Sequence, residues 1–196
     1  IILISLWWAF LSTLDILFTP RDSDKPDRTA AKPPDDMAEV TDRDAAAYAA
    51  FRELDPAFSA EIFLKGARRA YDAVLHAYAL GDFKSLRPLL SDEVLAAFAD
   101  VCASRRGRQE TLELTVVGIE SAEIVSAEVT SGTMEIAVLF HAQIVSAERA
   151  ANGDVIGGDP AMVAVTSDLW TFARPVPVDG NAWIVVATDE MVAEPA

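Results

Sequence analysis

Residues 111–142 read TLELTVVGIESAEIVSAEVTSGTMEIAVLFHA, and the fold class turns on how this stretch alternates. Leu112, Leu114 and Val116, followed by Ile119, set apolar side chains at every second position. Beyond Ser131-Gly132, Met134, Ile136, Val138, Phe140 and Ala142 do the same. A period of two belongs to a strand with one face buried, and Ser-Gly between two such runs is a turn. Residues 124–129 either continue the first strand or form a bulged extension of it. Asn152-Gly153 is another turn signal. Gly157-Gly158-Asp159-Pro160 also reads as a turn, and further strands are expected over 163–176 and 182–188.

Upstream, the period is 3.6. Ser59 is a plausible N-cap with Glu61 in the first turn, and Phe63, Ala67, Ala70, Tyr71, Val74 and Tyr78 give one apolar helix face. Gly81 ends that helix. Leu86, Leu89 and Leu90 mark a short helical stretch, and Ser91 caps a further helix through Val94, Leu95, Phe98 and Cys102. Arg105, Arg106, Gly107 and Arg108 close this half. Helices first and antiparallel strands afterwards predict an α+β domain over residues 55–190, with helices packed on a four-stranded antiparallel sheet. Residues 191–196 are a tail.

Two segments precede the domain. Residues 1–18, IILISLWWAFLSTLDILF, would span about 27 Å as a helix, close to the hydrocarbon thickness of a bilayer. Residues 1–20 are therefore read as a membrane anchor, carried by Ile1, Leu6, Trp7, Trp8, Phe10, Leu14 and Phe18. Asp15 is the objection, since a mid-bilayer Asp costs about 2.5–3.5 kcal/mol. One turn from the end it costs less, and a partner helix inside the membrane is the usual reason to keep such a group. An interfacial helix or a helix packed on another protein remains open, and a signal peptide lacks its basic start and small-residue cleavage site. Residues 21–54 are a linker rich in Pro, Asp and Lys, with a short helix over 43–54 ended by Asp55-Pro56. Its Arg21, Lys25, Arg28 and Lys32 place the body on the cytoplasmic side by the positive-inside rule.

The chain has 196 residues, 52% of them apolar, and a net charge of −15 from 16 Lys and Arg against 31 Asp and Glu. So acidic a chain lacks the basic face that displaces counterions from nucleic acid. Basic or hydrophobic protein surfaces are better partners. The single cysteine, Cys102, precludes an internal disulfide.

Asp55-Pro56-Ala57-Phe58 followed by residues 63–71 (FLKGARRAY) resembles the opening helix of Tim44-like domains. Gly81-Asp82 with residues 86–94 (LRPLLSDEV), Gly158-Asp159-Pro160, residues 168–174 (DLWTFAR) and residues 183–188 (WIVVAT) resemble that family's later blocks, in order. The layout is similar to that of bacterial TimA-type adaptors. The resemblance implies a cone-like fold with helices on a curved sheet around an apolar groove, related to cystatin- and nuclear-transport-factor-like shapes. It also implies membrane association, here at a bacterial inner membrane. The mitochondrial relative scaffolds an import motor, and with a domain this acidic that activity is not expected to carry over.

Catalytic chemistry has few candidates. His76 falls on the first long helix, and His141 lies on a strand where it could face Asp168 as an acid–base pair. No metal-ligand spacing and no phosphate-binding loop appear. No cofactor is expected. Arg68, Arg69, Arg105, Arg106 and Arg108 are the basic clusters, read either as contacts to anionic lipid or an acidic partner, or as solvated helix ends. Trp170, Phe172 and Trp183 either line a groove, as the resemblance suggests, or fill the sheet core. Three functions follow in order: an anchored adaptor, an accessory subunit of a respiratory or other energy-transducing membrane complex, and a small-molecule binder.

Overall fold

The computed structural model describes Ala49, residues 51–176 and residues 182–190. The expected anchor with Asp15, most of the linker and the 191–196 tail lie outside the described residues. Residues 51–54 are helical and end at Asp55-Pro56. Then follow α1 (Ala60–Leu80), α2 (Phe83–Leu86), α3 (Asp92–Gly107), β1 (Thr111–Thr130), β2 (Thr133–Arg149), β3 (Val155–Gly158), β4 (Ala164–Pro175) and β5 (Ile184–Glu190). Among the described residues no helix is long and apolar enough to cross a membrane.

Local chemistry sets the helix limits. Ser59 accepts from the Ile62 amide and Ser91 from the Val94 amide, each satisfying an orphan donor of the first turn. Gly81, at φ 65°, closes α1 in a left-handed conformation that glycine adopts without a Cβ clash. Ser131 and Gly132 both have positive φ, the signature of a tight hairpin turn matched to strand twist.

The sheet is antiparallel in the order β1-β2-β4-β5, with β3 also on β2. It therefore has five strands, not the expected four. The extra strand, β3, includes Gly157 and Gly158, which were expected in a turn. Gly158 sits opposite Ala147 and Gly157 opposite Glu148, because the far end of β2 runs past β4 and offers free backbone groups there. Residues 124–129 continue β1. At 20 residues, β1 outruns the 17 of β2, and irregularities at 116/118, 119/121 and 124/126 absorb the difference. Each bulge adds twist and bends the sheet around the helices.

The inner face of β2 (Met134, Ile136, Val138, Phe140, Ala142) is fully buried, together with Trp170, Phe172 and Val185. Phe63, Ala67, Tyr71, Val74 and Tyr78 of α1 pack into the same core. The Leu89–Ser91 segment lies along β5: the Val185 amide donates to the Leu89 carbonyl, and the Ser91 amide donates to the Val185 carbonyl. That edge of β5 is thus covered.

Two glycines test this geometry in opposite senses. A Cβ on Gly158, at φ 68°, would lie 2.3 Å from the Ser146 carbonyl oxygen, whereas one on Gly66, inside α1, meets nothing within 4 Å. Gly158→Ala should cost roughly 1–3 kcal/mol of stability, and Gly66→Ala should add about 0.5–1 kcal/mol. Chemical denaturation of the two variants beside the parent checks both signs.

Candidate functional site

A groove of about 980 Å³ runs along α1. Its helix wall carries Ile62, Phe63, Gly66, Ala67, Ala70 and Ala73. Small side chains at 66, 67, 70 and 73 keep that wall low, which is why the groove stays open. Pro88, Leu89, Ala182 and Trp183 form the opposite wall, and Phe172 and Arg174 also line it. Ile62 is 64% exposed.

An aromatic cluster holds one end. Phe63 meets Trp183 at 4.9 Å and Phe172 at 5.6 Å between ring centroids, and Phe58 meets Phe51 at 5.3 Å. The buried guanidinium of Arg174 lies 4.7 Å over the Trp183 ring and donates to the Asp55 carboxylate at 2.6 Å. A charge this enclosed stays in the interior only when paired and hydrogen-bonded. The contact ties the 55–58 entrance to β4 and orients the indole. Asp55 and Arg174 belong to the quoted family blocks, but their pairing had no signal in the sequence, since 119 residues separate them.

Trp170 is elsewhere. It lies under Tyr71, at 4.8 Å, and borders a separate cavity of about 20 Å³ with Tyr71, Tyr78, Thr166 and Asp168. That volume suits about one water molecule. Two of the three groove candidates, Phe172 and Trp183, therefore meet in the groove, and Trp170 does not. Residues 170 and 172 share a strand face but fall under different turns of α1.

The small cavity holds a buried acid. Asp168 accepts from the Tyr71 hydroxyl at 2.6 Å and from Thr166 at 2.9 Å. Burial pushes its carboxyl above the ordinary range, and the Tyr71 and Thr166 hydrogen bonds oppose that. His141 does not join it. His141 stands opposite Ser167 and hydrogen-bonds that hydroxyl at 2.9 Å, whereas Asp168 stands opposite Phe140. Neighbouring strand residues point to opposite faces, so the acid–base pair expected from the sequence is not formed. His76 is exposed on α1.

The five arginines do not form one surface. Arg68 donates to the Ile119 carbonyl at 3.1 Å and ties α1 to β1, while Arg69 is exposed on the groove rim. Arg106 is exposed, and Arg108 engages Glu110 and Ser104. Arg105 corrects the sequence reading. It is 4% exposed, donates to the Tyr78 hydroxyl at 3.0 Å and lies 3.4 Å from Glu148. Burial pushes the Tyr78 hydroxyl up to about 12, with Arg105 opposing the shift. An arginine so placed cannot reach a lipid headgroup without opening the core. Cys102 is buried, its thiol raised by burial, and packs as a small apolar group.

Asp168 generates a pH prediction. Its folded-state value is raised, so its favourable contribution is complete below the unfolded carboxylate value of 3.8 and is lost as pH rises through the folded value. Asp168→Asn, neutral and nearly isosteric, should remove this dependence. Denaturant midpoints of parent and variant should lie close together at acid pH and separate toward neutral pH, the variant being the more stable there.

Among solved structures, the "Crystal structure of intermembrane space region of chloroplast protein ARC6" is similar to this chain at 11% identity and a TM-score of 0.49, covering 66% of this chain and 96% of that one. No curated protein matches the sequence. The Tim44-like domain family model matches residues 44–190, which contain all eight elements, the groove and the buried acid. This chain belongs to the Tim44-like domain family.

Proposed function

We propose that this chain is a membrane-anchored, non-enzymatic adaptor whose Tim44-like domain holds a segment of a protein partner in the groove along α1. The observation that carries the reading is the groove itself: about 980 Å³, open, with an aliphatic helix wall and an aromatic end wall. Pockets of roughly 300–1,000 Å³ lined mainly by apolar groups are the usual size for bound molecules or inserted side chains. Arg69 on the rim favours a partner segment that is apolar with acidic flanks. The separation of His141 from Asp168 onto opposite sheet faces favours binding over proton-transfer chemistry.

In this reading residues 1–18 anchor the chain in a bacterial inner membrane and residues 21–54 provide reach. Arg21, Lys25, Arg28 and Lys32 hold the domain on the cytoplasmic side. The apolar run and its basic flank support that arrangement. Asp15 favours a second reading, an accessory subunit whose helix pairs with another inside a large membrane complex.

Affinity purification from native membranes in mild detergent separates the two. The parent chain, a version lacking residues 1–20, and Ile62→Asp are compared. The adaptor reading expects the same partners without residues 1–20 and roughly tenfold lower recovery with Ile62→Asp. One stoichiometric complex that requires residues 1–20 identifies an accessory subunit instead. Undiminished recovery with Ile62→Asp removes the groove from the reading.

A further inference from the structure

Among the described residues, β3 and the start of β4 form an open edge. Both pair with the same side of β2, β3 with residues 147–149 and β4 with residues 133–144, so they behave as one strand interrupted by residues 159–163. β5 pairs with β4 only over residues 168–173. Among the described residues, no strand pairs with the outer side of 155–158 or 164–167. Five of the ten exposed large apolar side chains among those residues fall in this short stretch: Val155, Ile156, Met162, Val163 and Val165, the last 66% exposed. Unpaired backbone donors and acceptors beside apolar side chains are what an added strand uses.

Charge selects the occupant. Asp154 and Asp159, both exposed, bracket β3, and Asp189 lies near the end of the neighbouring β5, opposite Leu169. A second copy of the chain would bring the same carboxylates and a net charge of −15 to this edge, and would be repelled. Lysine or arginine side chains on a partner strand are attracted by the same groups. We propose that this edge accepts an extended partner segment in which apolar residues alternate with Lys or Arg, added as a strand beside β3 and the start of β4. Pro160 and the interruption at 159–163 limit how much of the edge any strand can match, which disfavours indiscriminate pairing. The site is distinct from the groove.

The test uses the full chain in mild detergent and a peptide of roughly ten residues alternating Val and Lys, long enough for one strand. Two control peptides replace every Lys by Glu or every second Val by Pro. Hydrogen exchange should slow at the outward-facing amides of 155–158 and 164–167 when the Val–Lys peptide is added. The Glu and Pro controls should bind roughly tenfold more weakly, the first from charge and the second from lost backbone pairing. Asp154→Asn with Asp159→Asn, which keeps both side-chain acceptors, should weaken binding severalfold, and Ile62→Asp should leave it unchanged. Absence of binding, protection confined to other segments, equal binding of the Pro control, or slow exchange at these amides before peptide is added would each overturn the proposal.

Discussion

Tyr71 sits where the two halves of the domain meet. Its ring stacks on Phe140 at 4.7 Å and leans on Trp170 at 4.8 Å, and its hydroxyl donates to Asp168. The ring thus joins α1 to β2 and β4 through apolar contact, while the hydroxyl ends in a buried acceptor that holds the helix at one height on the sheet. An unpaired carboxylate at that depth would cost several kcal/mol, so the hydrogen bond fixes which turn of α1 lies over which residue of β4. Once Tyr71 is over Trp170, Phe63 two turns earlier falls over Phe172, and the groove takes its position from that.

The groove is a consequence of unequal packing along one helix. Toward its C-terminus, α1 fills the cone with Val74, Leu75 and Tyr78, and Arg105 of α3 donates to the Tyr78 hydroxyl from inside. Toward its N-terminus, Gly66, Ala67, Ala70 and Ala73 leave the facing wall too low to close against Pro88 and Leu89. Two buried cations serve different ends of this arrangement. Arg105 seals the closed end with Glu148, and Arg174 braces the open end through Trp183 and Asp55.

Features written in local chemistry were legible beforehand. Ser59, Gly81, Ser91 and Ser131-Gly132 each act on neighbours within a few residues, and each marks an element boundary where the sequence places it. The family blocks also pointed to Phe172 and Trp183. Features written in long-range pairing were not legible. Val155-Ile156-Gly157-Gly158 has no alternation of its own and becomes a strand only because β2 extends past β4. Arg105 looks like a helix-end cation, and nothing adjacent reveals that Tyr78 and Glu148 draw it inward. His141 and Asp168 looked like partners until the register put Ser167 opposite the histidine.

The Tyr71–Asp168 bond spans 97 residues, with the helix made first and its acceptor last. At a synthesis rate of about 5–20 residues per second, α1 leaves the ribosome roughly 5–20 seconds before β4 exists to receive it. Until the β1–β2 hairpin exists, Phe63, Tyr71, Val74 and Tyr78 have no sheet to cover them. The β1–β2 hairpin needs no such wait, because its Ser131-Gly132 turn brings adjacent residues together. The apolar face of α1 is therefore covered in stages, by Phe140 and its neighbours on β2 first and by Trp170 and Phe172 on β4 later.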